Sequence, residues 1–368
     1  MLDLILGRQD LTAARAALFA SARKGDRSVV SAVEAAVSAN PEKAIAFDAA
    51  GFATVTGGGR SWAGGRFEVV MLGELMKRVK GLARHGPSPK PRLSVLSGVD
   101  ALTDIGALQA TSDGDTLFQV ASQFNCLEAP GPYLTSVASY FTDPTQGPRA
   151  SISAFPGTMV RHYAAPGREG ARFVQTDDAQ LDLLEHVCPA NVAKVKGGYL
   201  SSQNIHHPRA FVAALEKNFE NVQVGVHDGV EVVLGANWDG LVTPPGSRRV
   251  SQVFTSTFAG GGYSASGDLD GLKDVICGPL LRAAYTGTLL AAASLGKRRV
   301  LLTLIGGGVF SNPHPLIWRA ILSAVTALEA VAPETMDVVV NAREGIGEAH
   351  DEVLARINTS GGVFCELA

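Results

Sequence analysis

Hydrophobic positions follow two rhythms along this chain. Short runs at 93–96, 116–121, 250–254, 300–305 and 336–340 are apolar or β-favouring at nearly every position and read as buried strands. Elsewhere apolar residues recur at helical spacing. Leu11, Ala14, Ala17 and Leu18 mark one stripe, and Val29, Val30, Val33, Ala36 and Val37 mark a second. Leu316, Ile317, Ala320, Ile321, Ala324, Val325 and Leu328 form the apolar face of a helix over 315–331, and 72–82, 280–293 and 348–357 read as further helices. Segments 44–54 and 66–70 read as strands around a glycine-rich stretch at 57–65. Tyr163 falls in a strand, and 222–234 reads as a hairpin turning at Asp228 and Gly229. The three prolines of 85–91 mark a loop and the best boundary between an N-terminal region and the rest. Strands alternating with helices late in the chain predict α/β layers around a mostly parallel sheet.

The most informative junction is 299–318. A buried strand runs into Gly306, Gly307 and Gly308, and Pro313 and Pro315 bracket the start of the next helix. Strand, glycine loop and helix N-terminus together make an anion site, because amides point outward and the helix dipole favours negative charge. The loop has neither G-x-G-x-x-G nor Walker spacing, and no Lys follows it. A tight turn without a ligand is the alternative.

Other polar groups sit where strands end. The 116–121 strand leads into Ser122, Gln123, Phe124 and Asn125, and ligands in open α/β sheets bind beyond carboxyl ends of strands. Asn125 could hydrogen-bond a sugar hydroxyl or simply shape a turn. Glu128 and Asp143, with Tyr140 and the Thr145–Pro148 stretch nearby, could activate water at an anomeric carbon or be solvated loop acids. Asp100 and Asp104 could meet an exocyclic amine, although helix capping is the commoner role. Gly260 to Tyr263 belongs to a loop over the same sheet edge, with Asp268 and Asp270 capping the helix that follows. His206, His207 and His314 lack metal-ligand spacing, and Cys126 lacks a located His partner.

Composition narrows the classes. The 368 residues are 46% hydrophobic and 18% charged, which suits a well-buried globular core. A net charge of −3 argues against a general nucleic-acid-binding surface. Cys126, Cys188, Cys277 and Cys365 are widely spaced, so reduced thiols are expected rather than a zinc site or a disulfide framework. No apolar run reaches the length of a membrane span, and the first residues lack a secretory signal pattern. Cytoplasmic localisation is therefore expected, with export by a signal-less route left open.

The order of these pieces resembles the macrodomain superfamily, the ADP-ribose module. The matches are a strand ending at Asp100, the strand ending at Asn125 and Glu128, the strand and loop from Val250 to Tyr263, the strand and glycine loop from Val300 to Pro313, and a final strand at 336–340. The details look like a divergent branch of ADP-ribosyl hydrolases, some members of which act on ADP-ribosylated arginine. The resemblance implies a three-layer α/β/α sandwich with a mixed, mostly parallel sheet. It implies a core at 91–368 carrying an insertion at about 155–246, with 1–90 as an N-terminal extension packed on it. It implies that Gly306, Gly307, Gly308, Val309, Phe310 and Asn312 hold the diphosphate and distal ribose. Asp100, Asp104 and Ile105 would face adenine, Gln123, Phe124 and Gln146 would line the site, and Asn125, Glu128 and Asp143 would serve the reaction. The partner implied is ADP-ribose or an ADP-ribosylated protein, with no cofactor. Asn125 is followed here by Cys126, Leu127 and Glu128 rather than by the usual glycine triplet. A non-catalytic reader of ADP-ribose, or another α/β enzyme of nucleotides or sugar phosphates, are the alternatives.

Overall fold

Ten strands share one sheet. In chain order they are β1 (Ile45–Phe47), β2 (Ala53–Gly57), β3 (Arg60–Met71), β4 (Arg92–Ser97), β5 (Thr116–Ala121), β6 (Gln223–Glu231), β7 (Arg249–Thr255), β8 (Arg299–Thr303), β9 (Asp337–Ala342) and β10 (Phe364–Glu366). They lie side by side as β10-β4-β9-β8-β5-β7-β6-β3-β2-β1. Every neighbouring pair from β10 to β7 is parallel, and every pair from β7 to β1 is antiparallel. The fold is therefore α/β with a mixed, mostly parallel sheet: the alternation of elements predicts the α/β layers and the parallel part, and the resemblance implies the mixed sheet. The computed structural model describes residues 23–24, 27–82, 90–131, 133–238, 240–242, 244–264, 269–343 and 346–367. The helix expected from Leu11 to Leu18, most of the 85–91 loop and Asp268 lie outside those residues.

The parallel half is the part that the apolar runs mark. Strands β5, β8 and β9 are buried along most of their length, which happens only when helices cover both faces. The α-helices of six or more residues are α1 (Ser28–Ala39), α2 (Leu72–Lys80), α3 (Ile105–Ala110), α4 (Gln146–Ser153), α5 (Phe155–Tyr163), α6 (Pro208–Lys217), α7 (Lys273–Ser294), α8 (His314–Val331) and α9 (His350–Ser360). One group packs α7 on α2, α6 and α8; another packs α5 on α1 and α4, and α4 on α3. Strand β6 shows that these groups lie on opposite faces. A Cβ on Gly287 of α7 would meet Val224 at 2.6 Å, whereas a Cβ on Gly157 of α5 would meet Val230 at 2.8 Å and His227 at 2.9 Å. Val224 and His227 differ by an odd number of positions and so face opposite ways.

Three expectations are corrected. The segment 222–234 is not a hairpin: β6 runs through Asp228 and Gly229 as a bulge, with Val230 pairing Val250 while His227 pairs Gln252. Gly229 takes the left-handed φ of +73° that the extra residue needs, and the shift returns Val230 to the face of His227. Tyr163 ends helix α5 rather than lying in a strand. That helix is buried from Phe155 to His162, Arg161 and His162 included, so its polar positions do not mark a solvent face. The third concerns membrane-span length. Helix α7 is long and apolar enough to cross a membrane by length and composition, with its Lys, Asp and Arg few enough to pass, but 78% of its most apolar window is buried between the sheet and α8. It is a core helix of this fold.

The residues before 90 supply β1 to β3, and the stretch 155–246 supplies β6, which joins those strands to β7. Asp270 does not cap α7; it is exposed and reaches Arg209 at 3.8 Å.

Candidate active-site cleft

The carboxyl ends of β4, β9, β8 and β5 open onto a cleft of about 660 Å³. Its walls come from Val99 after β4, Asn341 and Arg343 at the end of β9, the 303–310 segment after β8, and Ala121, Ser122, Gln123 and Glu128 after β5. Residues 143–148 close one side, and Tyr199 and Tyr263 close another. The volume lies in the usual range for small-molecule sites, and the position is the one expected of a ligand cleft in a parallel sheet.

The three glycines of the loop differ in what they are for. Gly306 has φ +72°, and a Cβ there would lie 2.1 Å from Asn312 Nδ2 and 2.6 Å from Thr257 Cγ2. A Cβ on Gly307 would lie 2.9 Å from His314 Nε2, so this glycine lets the loop lie against the start of α8. A Cβ on Gly308, which is exposed at the edge of the cleft, would meet nothing within 4 Å. Asn312 sits beneath the loop rather than in it. Its amide nitrogen donates to Phe258 O at 3.1 Å, its Oδ1 accepts from Cys277 Sγ at 3.0 Å, and its backbone N–H donates to Gly306 O at 2.9 Å. Below, Tyr285 Oη donates to Thr303 O and accepts from Ile305 N–H. The N–H groups of Gly307, Ser311 and Asn312 are used inside the turn. Among the described residues, those of Gly308, Val309 and Phe310 make no hydrogen bond within the chain. Three free amides at a loop that leads into a helix are the donor chemistry that an anion needs.

Glu128 lies across the cleft. Its side chain is nearly fully buried, and Oε1 has no partner among the described residues. A Cβ on Gly147 would come 2.7 Å from Glu128 Oε2, so the carboxyl rests directly on the first turn of α4. The Glu128 N–H donates to Tyr140 Oη at 3.2 Å. Burial holds the Glu128 carboxyl well above its ordinary range; the charge of Arg161 opposes this and that of Asp143 adds to it. Asp143 lines the same cleft, half-buried, with Oδ1 accepting from Thr145 N–H at 2.9 Å. The two acids thus sit in different environments on one wall.

The loop from Gln123 to Glu128 is fixed from many sides. Asn125 is turned into the protein: Oδ1 accepts from Leu127 N–H and Nδ2 donates to Gln180 Oε1, both at 2.9 Å. Phe124 is buried in the core. Cys126 holds a left-handed φ of +62°, which is strained for a side chain, and burial lifts its thiol to about 12. Gln123 does reach the cleft. Its Nε2 donates to Ala129 O at 2.7 Å and to Tyr199 Oη at 2.6 Å, leaving Oε1 buried without a partner.

The structure therefore brings Gln123, Glu128, Asp143, Gln146, Gly306, Gly307, Gly308, Val309 and Phe310 together around one cavity. Asn125, Phe124 and Asn312 support it from behind. Asp100 caps the turn at 101–103, its Oδ1 accepting from Leu102 N–H. Asp104 caps α3 through Ala107 N–H and pairs with Arg149. Neither acid lines the cleft, nor does Ile105, whose N–H donates to Gln146 Oε1 at 2.9 Å. At this end of the cleft stand Val99, Asn341 and Arg343, which sequence reasoning missed. The signal was available, since Asn341 and Arg343 end a parallel strand. Tyr199 was missed as well; with Tyr263 and Phe310 it forms a cluster with ring centroids 4.9 to 6.0 Å apart at the cleft mouth. Among the described residues no group of three or more His, Cys, Asp or Glu could hold a metal. The four cysteines are free thiols.

No protein-family model matches the chain, and no curated protein matches its sequence. Among solved structures, poly(ADP-ribose) glycohydrolase from Thermomonospora curvata aligns over 91% of this chain and 100% of that chain, at 14% identity and a TM-score of 0.40. The same enzyme bound to the inhibitor ADP-HPD aligns over 91% and 99%, at 14% identity and a TM-score of 0.39. Poly(ADP-ribose) glycohydrolase from Deinococcus radiodurans in complex with ADP-ribose aligns over 80% of this chain and 93% of that chain, at 12% identity and a TM-score of 0.39.

Proposed function

We propose that this cleft binds ADP-ribose and that the protein hydrolyses the glycosidic bond joining ADP-ribose to a modified side chain. The observation that carries the reading is one cavity walled by both an anion cradle and a buried, proton-retaining carboxyl. The free amides of Gly308, Val309 and Phe310 would take the diphosphate. Glu128, with Oε1 unpartnered, would face the anomeric carbon of the distal ribose.

The chemistry follows from the difference between the two acids. A carboxyl whose proton affinity is raised by burial can donate to a leaving atom near neutral pH, and a second carboxyl on the same cleft can hydrogen-bond the attacking water. Glu128 would give its proton to the departing oxygen or nitrogen as the bond to C1″ breaks. Water would then add to C1″, its proton passing to the Glu128 carboxylate, with Asp143 holding the water. Binding energy from the diphosphate, remote from the bond cleaved, would hold C1″ in place.

The experiment has two parts. Calorimetry with ADP-ribose should show binding; none at millimolar ligand would sink the reading. Release of label from Arg-, Glu- and Ser-linked ADP-ribosylated proteins should then be lost in Glu128→Gln and reduced in Asp143→Asn. Binding without release from any of the three linkages would make the protein a reader.

A further inference from the structure

Helix α5 carries an arginine with no exposed surface. Arg161 is completely buried, with Nε donating to Cys126 O at 2.9 Å, Nη2 to Thr158 Oγ1 at 2.9 Å and Ser151 Oγ at 3.2 Å, and Nη1 to His227 Nδ1 at 3.2 Å. His227 Nε2 lies 2.7 Å from Gly64 O, so that nitrogen carries the hydrogen and Nδ1 is free to accept. The guanidinium also lies 3.6 Å from the ring centroid of Phe254. Every one of these partners is neutral. Among the described residues no carboxylate lies within ion-pair distance of Arg161, and buried arginines are seldom left so.

We infer that Arg161 is a positioning residue for Glu128. It anchors the loop of Glu128 through Cys126 O, two residues away, and it supplies the positive charge that the buried carboxyl lacks in direct contact. The inference rests on the proposed reading only for the importance of Glu128; the physical link between the two residues stands without it.

The surroundings leave this link with few competitors. The ionisable groups close enough to act on Glu128 through their charge are Arg161 from α5, Asp143 and Tyr140 from the segment leading to α4, Cys126 on its own loop and Tyr199 from the 155–246 stretch. Burial raises the Tyr140, Tyr199 and Cys126 groups, so all three are neutral at physiological pH. Asp143 carries the same sign as an ionised Glu128. Burial lowers Arg161 only to about 10, which leaves it charged, and the buried His227 stays neutral beside it. Among the described residues Arg161 is thus the one cation in this set, and because both groups are buried their interaction is screened less than a surface pair would be. The carbonyl that accepts from Arg161 Nε belongs to Cys126, the residue with the left-handed φ of +62°.

The test reads the proton affinity of Glu128 directly, without ligand. The protein is labelled with carboxyl-13C glutamate, the Glu128 resonance is assigned by its loss in Glu128→Gln, and its titration is followed. In Arg161→Gln the midpoint should rise by about one pH unit, a tenfold gain in proton affinity, while Arg161→Lys should retain most of the wild-type value. Ser151→Asp, which leaves Arg161 in place but gives it a carboxylate partner, should raise the midpoint as well, and Ser151→Asn should not. This second pair decides the matter where Arg161→Gln does not fold. An unmoved midpoint in folded Arg161→Gln or Ser151→Asp overturns the inference. An equal rise in Arg161→Lys and Arg161→Gln also overturns it, because shape rather than charge would then matter. Because no substrate is present, absence of hydrolase activity leaves these results intact, and a moved midpoint does not by itself establish hydrolysis.

Discussion

Two glycines two residues apart should respond to alanine in opposite ways. At Gly306 the added methyl meets both obstacles at once. The backbone stands at φ +72°, which costs an L-residue about 1–2 kcal/mol. The methyl would also lie 2.1 Å from Asn312 Nδ2 and 2.6 Å from Thr257 Cγ2, inside a packed interior, and overpacking of that kind costs about 1–3 kcal/mol more. Gly306→Ala should therefore lose about 2–5 kcal/mol of stability, read as a lower urea midpoint with an unchanged slope. At Gly308 φ is not left-handed and nothing lies within 4 Å, so alanine should be neutral or stabilise by up to about 1 kcal/mol through the unfolded chain. Its methyl stands where a diphosphate would approach the free amides. Calorimetry should show ADP-ribose affinity down at least tenfold, about 1.4 kcal/mol. A Gly308→Ala protein that binds ADP-ribose as tightly as wild type would refute the assignment of this loop to the diphosphate. A Gly306→Ala protein of native stability would refute the steric account of the loop.

Three further substitutions follow from the same geometry. Glu128→Gln should alter stability in a defined direction. The folded carboxyl binds its proton more tightly than the unfolded one, so wild-type stability falls as pH rises from the ordinary glutamate value through the raised one, by about 1.4 kcal/mol for each unit of displacement. The variant should lack that decline in urea titrations at pH 4 and pH 7, and an identical pH dependence would show that Glu128 titrates normally. Glu34→Gln tests the reach of helix α1. Glu34 accepts from Val137 and Ala138 N–H and from Tyr163 Oη, and so holds the turn that carries Tyr140 beneath Glu128. The swap should cost about 1–3 kcal/mol and lower the rate of label release more than the affinity for ADP-ribose; equal losses in both would argue against this route. Asp100→Ser preserves a cap and removes a carboxylate that lies away from the cleft, so ADP-ribose affinity should stay within about threefold of wild type. A larger loss by calorimetry would restore Asp100 to the site.

What could be read from the sequence was what the backbone must do. Strands covered on both faces announce themselves as apolar runs, and β5 spans the same residues in sequence and structure. Gly306 announces itself because only glycine accepts both its φ and its crowding. Signals that are equally local misled when a distant partner changed their meaning. Asp228 and Gly229 carry a hairpin-turn signature, yet β3 and β7 pair along both sides of this strand and absorb the extra residue as a bulge. Asn125 looked like a sugar ligand, but Gln180, from far along the chain, claims its amide. Arg161 is the extreme case, because nothing local says that Phe254, His227 and Cys126 O will enclose it. The elements that bring those groups together lie on either side of the sheet's parallel-to-antiparallel junction, which β6 creates. The glycine cradle belongs to the parallel half, whereas the environment of Glu128 depends on residues that the antiparallel half and its helices supply. The amides proposed to take an anion therefore lie in one segment, Gly308 to Phe310, whereas the groups that set the proton affinity of Glu128 are distributed over the fold.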